Sequence, residues 1–295
     1  MNLGGFIPPI ATPMRNGAID YDSLDSLVDY LRDSVSGYLV GGSVGEHPAL
    51  TLDERKALTR AVARRRASDR TLAVSVADNC LENCRRMAED AVDAGADLLL
   101  VSCPNYYTNT VPMLIAYLGE VGSYSRVPLC LYDNPIASHT TLSVTDIMAL
   151  ADAVPTLRAI KVTDPSPEKV RALRERTDLI VYAGDDFVLW HMLARGAHGG
   201  MVALPMIYPD ESRAIWDAVQ QEDWSGAEAA YRRTSHFIHI ALGAPDYVPV
   251  IKTVLHQRGV IASPEVRIPI LALSDERRAE VLRALSPLVT TAVSS

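Results

Sequence analysis

The chain has 295 residues, of which 48% are hydrophobic and 22% are charged, a composition typical of a globular protein long enough for one large core or two domains. Its net charge is −8 and its basic residues form no stripe, which argues against a nucleic-acid partner. No apolar run reaches the length of a membrane span, and the N-terminus lacks the basic start and long apolar segment of a signal peptide.

The cysteine pattern does not indicate a disulfide framework. Cys103 and Cys130 fall at predicted strand or strand-end positions, where a small apolar residue fits, so we expect reduced thiols in a cytoplasmic protein. Cys80 and Cys84 could share a helix face, but no second ligand pair follows them, and the seven histidines show no metal-binding spacing. We therefore expect neither a metal nor a cofactor.

Apolar strands recur roughly every 25–35 residues, and an amphipathic helix follows each of them. The predicted strands are Gly5–Ile10, Gly37–Val40, Leu72–Val76, Leu98–Ser102, Pro128–Tyr132, Leu157–Thr163, Leu179–Tyr182 and Gly200–Leu204. The predicted helices are Tyr21–Val35, Leu52–Arg66, Leu81–Ala94, Pro112–Val121, Val144–Ala151, Pro167–Arg176, Phe187–Arg195 and Asp210–Gln220. Thr51 and Glu54 stand at the spacing of a capping box before the second helix.

Eight strand–helix units predict an α/β fold, a (β/α)8 TIM barrel, over residues 1–222. A doubly wound open sheet is the alternative, but the first strand leads into Ala11-Thr12-Pro13 and not into a glycine-rich dinucleotide turn. Residues 223–295 read as a helical C-terminal extension with a proline-marked break at Pro245–Pro249. We expect Val289–Ser295 to be a loose tail.

The sixth predicted strand carries a lysine, Lys161, between Ile160 and Val162. Burying an ammonium group is costly unless it is paired or loses its proton. A desolvated lysine favours its neutral form, and the neutral amine is a nucleophile. Lys161 is therefore a candidate nucleophile. The alternative is a lysine that reaches solvent at the strand end or pairs with an acid.

The active site of such a barrel forms at the C-terminal ends of its strands, and a glycine-rich turn follows the second strand there. In Gly41–Gly45 the glycines flank Ser43 and let the backbone approach an anionic ligand closely, although a tight turn alone also explains them. The same residues match G-x-S-x-G, but a serine hydrolase needs a helix directly after the turn, and here Pro48 intervenes before Leu52.

Tyrosines and acids follow the later strands. Tyr132 ends the strand before Lys161, so the two side chains can share a proton. Asp185 and Asp186 follow the seventh strand, where they suit a hydroxyl or an amine and not a phosphate. Alternatively, these acids cap the helix that begins at Phe187.

With these residues in place, the chain resembles the dihydrodipicolinate synthase / N-acetylneuraminate lyase family of class I Schiff-base aldolases. The resemblance covers nearly the whole chain. Its most specific segments are Gly42–Glu46, Leu131–Pro135, Ile160-Lys161 and Gly184–Asp186, in this order and with family-like spacing.

The resemblance implies a role for the residues at the strand ends. Lys161 would form an imine with a 2-oxo acid such as pyruvate, and Tyr132 would donate and accept protons. Ser43 matches the hydroxyl that relays protons to that tyrosine. The turn through Val44 and Gly45 would hold the substrate carboxylate.

The resemblance also implies contacts further from the lysine. Met201 on the eighth strand corresponds to a backbone contact with the substrate, and Asp185 belongs to the substrate side of the site. Tyr106 matches a tyrosine that such proteins lend to a neighbouring subunit's site, with Tyr107 as the alternative because the local spacing differs. A homotetramer is expected on the same ground.

Three departures from the family pattern bear on the substrate. The dihydrodipicolinate synthases carry an arginine shortly after the strand-five tyrosine, whereas the stretch Ile136–His139 has none. Val44 replaces a hydroxyl residue, which removes one hydrogen bond worth on the order of 1 kcal/mol. Val162 stands where the synthases have glutamate and the sialic acid lyases an aromatic residue. We therefore expect neither aspartate semialdehyde nor a sialic acid, and a sugar-derived or other 2-oxo acid instead.

Three functions remain open from the sequence. The first is a cofactor-free lyase or aldolase that combines a 2-oxo acid with an aldehyde through the Lys161 imine. The second is a dehydratase or hydratase of a deoxy 2-oxo sugar acid, which uses the same imine. The third is a binding barrel that keeps the pocket without turnover.

Overall fold

The computed structural model describes residues 3–242 and 245–289, with side chains described through Leu285. Its parallel strands are β1 (Gly5–Phe6), β4 (Gly37–Val40), β5 (Thr71–Ser75), β6 (Leu98–Ser102), β7 (Leu129–Asp133), β8 (Leu157–Val162), β9 (Ile180–Ala183) and β10 (Gly199–Gly200). Within the described residues these eight strands form one sheet in the order β1-β10-β9-β8-β7-β6-β5-β4. The fold is the predicted (β/α)8 TIM barrel.

The two ends of the sheet meet between the first segment and β4. Pro9 and Leu39 form an isolated parallel bridge, the Leu39 N–H donates to the Pro8 carbonyl at 2.9 Å, and the Ile10 N–H donates to the Leu39 carbonyl at 3.0 Å. Because these bonds join the first segment to β4, the sheet closes on itself and the C-terminal ends of all its strands surround one mouth.

Helices separate the strands and cover the outside of the barrel. They are α1 (Tyr21–Leu31), α2 (Leu52–Arg65), α3 (Leu81–Asp93), α4 (Val111–Ser123), α5 (Pro135–Ser138), α6 (Val144–Ala153), α7 (Pro167–Arg176), α8 (Leu189–Ala194), α9 (Leu204–Ile207) and α10 (Pro209–Gln220). The capping box at Thr51 and Glu54 is present, as predicted. The predicted bounds of α7 agree with the structure at both ends.

Alternating side chains of the strands fill the barrel interior, because successive residues of a strand point to opposite faces. This interior cluster consists of Ile7, Leu39, Ala73, Leu98, Leu100, Cys130, Ala159, Tyr182 and Met201. A larger apolar cluster lies between the strands and the surrounding helices. All four cysteines are free thiols, as the sequence predicted.

Several local predictions differ from the structure, among them the first strand, which spans Gly5–Phe6 and not Gly5–Ile10. Helix α1 ends at Leu31 and not at Val35. The sequence analysis missed a hairpin, β2 (Met14–Arg15) and β3 (Ala18–Ile19), whose turn residues Asn16 and Gly17 both have positive φ angles, as Asn-Gly turns favour. The eighth barrel strand, β10, ends at Gly200, because the following residues turn into α9.

Three helices follow the barrel, namely α11 (Trp224–Ala241), α12 (Tyr247–Gln257) and α13 (Asp275–Val289). The predicted helical extension is confirmed, and residues 258–274 between α12 and α13 form neither helix nor strand. The predicted tail begins within α13, and residues 290–295 lie outside the described part of the chain. The boundary between residues 222 and 223 stays a prediction.

None of the described helices combines the length and apolarity needed to cross a membrane.

A buried ion pair joins the extension to the barrel. Lys252 of α12 contacts the carboxylate of Glu46, in the turn after β4, and both side chains are 0% exposed. The Lys252 ammonium also donates to the Glu265 carbonyl at 2.7 Å, and the Arg267 N–H donates to the second Glu46 oxygen at 2.8 Å. Glu46 has a φ of 56°, a strained conformation for a residue other than glycine, so these contacts hold the turn in its shape.

We predict that Lys252→Met destabilises the protein by about 3–5 kcal/mol, because the Glu46 carboxylate then stays buried without its cation. The change is measured as a shift of the urea unfolding midpoint. The double variant Lys252→Met/Glu46→Gln should recover part of the loss, and Lys56→Met serves as the matched lysine control. A midpoint for Lys252→Met equal to that of Lys56→Met would contradict the prediction.

Candidate active site

Two neighbouring strands place a lysine and a tyrosine side by side at the mouth of the barrel. Lys161 of β8 pairs in register with Tyr132 of β7, and two residues earlier on each strand Ala159 pairs with Cys130. Ala159 and Cys130 belong to the interior cluster. Since side chains two residues apart point the same way, Lys161 and Tyr132 form the next layer of the interior, on the side of the C-terminal strand ends.

The Lys161 amine lies within this layer and not in solvent. The side chain is 4% exposed, and Nζ lies 4.1 Å from the centroid of the Tyr132 ring. Gly184, at the end of β9, makes room for it: a Cβ at this position would come within 2.9 Å of Lys161 Cγ and 2.7 Å of the Val162 carbonyl oxygen. Thr163 Oγ1 would be nearer still, at 2.6 Å, so the glycine after β9 is required by the close approach of the end of β8 as a whole.

The Tyr132 hydroxyl is surrounded by groups that stabilise its ionised form. Burial by itself raises the pKa of Tyr132, but the positive charge of Lys161 and three polar side chains outweigh burial and lower this pKa below its usual value. One of the three is Asn134, whose Nδ2 donates to the hydroxyl at 3.0 Å. The other two are the hydroxyls of Ser43 and Thr163. A tyrosine in this setting can exchange a proton at lower cost than an isolated phenol.

The turn after β4 carries Ser43 and offers backbone N–H groups. The Gly45 N–H donates to the Gly42 carbonyl at 3.0 Å, and Thr12 Oγ1 donates to the Gly45 carbonyl at 2.7 Å. Within the described residues, the N–H groups of Ser43 and Val44 donate to no protein acceptor. Val44 and Gly45 were predicted to hold a carboxylate. The Gly45 N–H already has an acceptor, so of these two residues only Val44 has an N–H without a partner among the described residues.

The two acids after β9 have different partners. One oxygen of Asp185 accepts the N–H groups of Phe187 at 2.8 Å and Val188 at 3.3 Å, in the turn before α8. The alternative prediction, that these acids cap a helix beginning at Phe187, was wrong, because α8 begins at Leu189 and its N-cap has no side-chain hydrogen bond. Asp186 was left out of the predicted site, and its oxygens accept the N–H groups of Ala203 at 3.0 Å and Leu204 at 2.8 Å. Burial raises the pKa of Asp186 to about 6.

Asp186 therefore holds the backbone that follows Met201. Met201 itself is fully buried in the interior cluster, and its N–H donates to the Ala183 carbonyl at 2.8 Å. Its side chain is part of the core, so any role in the site falls to its backbone carbonyl, as the resemblance implied.

A cavity of about 290 Å³ opens beside Tyr132 and Ser43, bounded by the ends of β4 to β7. Tyr132 lines this cavity and Lys161, whose amine lies against the Tyr132 ring, does not. Serine, asparagine and histidine side chains supply most of its polar lining, namely Ser43, His47, Ser75, Asn79, Ser102, Asn105, Asn134 and Ser138. Burial lowers the pKa of His47 to about 4, so this imidazole is neutral.

The cavity contains one guanidinium among its lining residues, that of Arg55, and protein groups already occupy it. Arg55 Nη2 donates to the carbonyls of Ser75 at 3.3 Å and Ala77 at 3.1 Å, and Nη1 lies 3.4 Å from the Asp78 carboxylate. Within the described lining, no cation is thus left free for the carboxylate of a second substrate.

Tyr106 and Tyr107 lie apart from the residues described above. Their side chains are 81% and 70% exposed, and their rings contact each other edge to face with centroids 5.0 Å apart. In the described part of the chain no hydrogen bond or ring contact joins either of them to Ser43 or Tyr132.

The sequence analysis missed one tyrosine that does reach the site, Tyr247 at the start of α12. Its hydroxyl lies near enough to Ser43 and Tyr132 for both to influence its pKa. Burial, together with the charge of Tyr132, raises the pKa of Tyr247 to about 12. From the sequence, Tyr247 could be recognised only as a tyrosine inside the proline-marked break at Pro245–Pro249. No local sequence pattern predicts that this break lies over the barrel mouth.

A comparison with protein families finds one match over nearly the whole chain. The family described as "Dihydrodipicolinate synthetase family" matches residues 2–288. The 4-hydroxy-tetrahydrodipicolinate synthase of Methanocaldococcus jannaschii is 26% identical over 275 residues, which cover 93% of this chain and 94% of that protein. The enzyme of the same name from Phenylobacterium zucineum is 27% identical over 286 residues, or 95% of this chain and 96% of that protein.

Solved structures of proteins from the same family superpose closely on this chain. One of them is YagE, a prophage protein of the dihydrodipicolinic acid synthase family from E. coli K12, which was crystallised in complex with pyruvate. It superposes on this chain with a TM-score of 0.92 at 25% identity, and the match covers 97% of this chain and 99% of that chain. The dihydrodipicolinate synthase of Rhodopseudomonas palustris superposes with a TM-score of 0.90 at 25% identity, covering 97% of both chains.

We predict that Gly184→Ala destabilises the protein by about 1–3 kcal/mol, because the added Cβ overlaps the Lys161 stem and the β8 backbone. The measurement is thermal unfolding. Gly119→Ala is the matched control: nothing lies within 4 Å of a Cβ built there, and alanine in a helix is stabilising by up to about 1 kcal/mol relative to glycine. Equal unfolding temperatures for the two variants would show that the Lys161 side chain tolerates a neighbour at this position.

Proposed function

Because this chain belongs to the dihydrodipicolinate synthetase family, whose members are lyases and aldolases that work through a Schiff base, we propose that Lys161 forms an imine with the ketone of a pyruvate-type 2-oxo acid. The observation that carries the proposal is the position of the Lys161 amine, nearly excluded from solvent and against the Tyr132 ring. Such an amine is held for attack on a carbonyl and protected from competing reactions with water.

The proposed reaction balances without a cofactor. The neutral amine adds to the ketone and water leaves, giving a cationic imine. The bond between C3 and C4 of a hydroxylated substrate then breaks, its electrons move to the imine nitrogen, and the C4 hydroxyl loses its proton as the aldehyde departs. Protonation of the resulting enamine at C3 and hydrolysis release the 2-oxo acid and restore Lys161. Tyr132, with its lowered pKa, is the group that we assign to move these protons.

Further residues complete the proposed site. We assign Ser43 to proton relay, because it adjoins Tyr132, and the turn Val44-Gly45 to the substrate carboxylate, with the Val44 N–H as donor. The carbonyl of Met201 and the second oxygen of Asp185 are proposed substrate contacts. The resemblance further supports Tyr106, or Tyr107, as a hydroxyl lent to a neighbouring subunit within a homotetramer.

We propose a neutral, hydroxylated aldehyde as the second reactant, and not aspartate semialdehyde. The cavity lining supports this choice, because its hydroxyl, amide and neutral imidazole groups match hydroxyls and its guanidinium is occupied. A dehydratase acting on a deoxy 2-oxo sugar acid would use the same imine and the same lining. We place the reaction in the cytoplasm on the basis of the free thiols.

We predict that borohydride in the presence of pyruvate reduces an imine and adds a stable group to Lys161. The chain's other three lysines, Lys56, Lys169 and Lys252, lie on separate segments, so peptide mass analysis locates the adduct unambiguously. Lys161→Ala should abolish the adduct, whereas Lys56→Ala should leave it intact. If pyruvate and a series of larger 2-oxo acids leave Lys161 unmodified, the imine proposal fails and a binding barrel without turnover becomes the better explanation.

We predict that the protein, supplied with pyruvate, uses glyceraldehyde in preference to succinic semialdehyde. Ala137 lines the cavity five residues after Tyr132, within the stretch that lacks the synthases' arginine. Ala137→Arg should therefore raise kcat/KM for succinic semialdehyde by about tenfold or more, the usual value of a charged hydrogen bond. Ala137→Gln is the uncharged control. Preference of the unmodified protein for the semialdehyde would contradict the assignment, and water loss from a deoxy 2-oxo sugar acid without aldehyde release would favour the dehydratase.

A further inference from the structure

Two serines point into the barrel on the side of Tyr132 that lies away from Lys161. Ser75 and Ser102 are the last residues of β5 and β6, and each stands two residues beyond a member of the interior cluster. Ser102 pairs in register with Tyr132, on the opposite side from Lys161. Since side chains two residues apart in a strand point the same way, both serines face the interior.

The neighbours of the two serines support this orientation. The residues on either side of each serine belong to the larger cluster between the strands and the helices, namely Val74, Val76, Val101 and Cys103. Both serines also line the cavity beside Tyr132. On β8, β7, β6 and β5, the inward-facing residues nearest the mouth are therefore Lys161, Tyr132, Ser102 and Ser75.

The hydroxyls of these serines have no protein partner. Within the part of the chain that the structure describes, neither hydroxyl makes a hydrogen bond with a protein group. The Ser75 carbonyl, by contrast, accepts a hydrogen bond from Arg55 Nη2 at 3.3 Å, and Ser75 is only 3% exposed. Keeping a hydroxyl away from bulk water without a partner costs free energy, which an alanine at the same position would not. A polar ligand in the cavity accounts for both hydroxyls.

Other polar side chains of the cavity lining are already bound by protein groups. Asn79 Nδ2 donates to Asn105 Oδ1 at 2.6 Å, and the Asn105 N–H donates to Asn79 Oδ1 at 3.0 Å. Asn134 Oδ1 accepts the Ala137 N–H at 3.2 Å, and the Ser138 hydroxyl donates to the Asn134 carbonyl at 2.8 Å. Each of these side chains is held in place by another part of the protein, whereas the two inward-facing serines are not.

We propose that Ser102 and Ser75 are specificity-determining residues that bind the hydroxyl on carbon 5 of the substrate, the carbon next to the aldehyde carbon after cleavage. This inference rests on the proposed imine chemistry at Lys161. It narrows the second reactant from a neutral hydroxylated aldehyde to a 2-hydroxyaldehyde.

The order of the side chains around the mouth points to carbon 5. In the proposed reaction carbon 2 is bound to Lys161, and the hydroxyl on carbon 4 exchanges its proton with Tyr132. Neighbouring strands lie about 4.8 Å apart, so Ser102, one strand beyond Tyr132, meets the next substituent along the substrate. A serine hydroxyl both donates and accepts, and two serines can therefore bind the oxygen and the proton of one substrate hydroxyl.

The test compares two isomeric aldehydes, 2-hydroxypropanal and 3-hydroxypropanal, each supplied with pyruvate. They have the same atoms and differ in the position of the hydroxyl. We expect the unmodified protein to show the higher kcat/KM for the faster enantiomer of 2-hydroxypropanal. Ser102→Ala should lower the ratio of the two kcat/KM values by about threefold to tenfold, the usual value of one hydrogen bond. A ratio measured within one variant is independent of the fraction of active protein.

Further variants separate the hydroxyl from the size of the side chain. Ser102→Thr and Ser102→Val add nearly the same volume, and we expect the threonine variant to keep a higher ratio than the valine variant. Ser75→Ala should lower the ratio, and Ser26→Ala, at an exposed position of α1, should not. Thermal unfolding of Ser75→Ala and Ser102→Ala should occur at or above the unmodified temperature, because neither substitution removes a hydrogen bond within the protein.

The outcomes distinguish the serine assignment from the proposed function. If the unmodified protein does not trap pyruvate on Lys161, the proposed function fails. If it traps pyruvate but prefers 3-hydroxypropanal, or condenses with neither aldehyde, the serine assignment is wrong while the imine chemistry stands. The assignment is also wrong if Ser102→Ala and Ser75→Ala keep the unmodified ratio, or if Ser102→Thr and Ser102→Val lower it equally.

Discussion

The contact between the Lys161 amine and the face of the Tyr132 ring is the interaction around which the rest of the site is arranged. A closed parallel barrel sends every second side chain inward, and the last inward layer before the mouth carries both residues. An amine in this layer is largely deprived of hydration, so the face of the Tyr132 ring replaces part of its solvent. Gly184 leaves room for the end of β8, including the Lys161 stem. Asn134 donates a hydrogen bond to the Tyr132 hydroxyl, and Ser43 and the charge of Lys161 also lower the pKa of this phenol.

The C-terminal extension takes part in this arrangement. Its ion pair between Lys252 and Glu46 holds a strained backbone in the turn after β4, and that turn presents Ser43 and the free N–H of Val44. A second buried contact at this turn, from the Arg267 backbone, adds to the same constraint. Strain of this kind persists only where surrounding contacts over-determine it, and here those contacts come from α12 and from the segment that follows it.

Much of the fold was predictable because its signals are local. Apolar runs of strand length alternating with amphipathic helices indicated the barrel, and the proline and capping residues placed α2 and α7 accurately. Boundaries failed where tertiary packing intervenes: β10 stops at Gly200 because Asp186 binds the N–H groups of Ala203 and Leu204 and turns the chain into α9. For the site, the sequence indicated that Lys161 and Tyr132 lie at adjacent strand ends, since parallel strands bring their C-terminal ends together.

By itself, then, the sequence determined the strand–helix rhythm, the inward side of each strand and the residue types at the strand ends, because these follow from periodicity and turn chemistry over a few residues. Only the tertiary structure decided which backbone N–H groups stay free in the Ser43 turn, that one Asp185 oxygen serves the local backbone, and that Tyr247 stands beside Ser43. The position of Tyr247 depends on where α12 docks. Docking is decided by buried charge and shape between segments far apart in the chain, which no local pattern encodes.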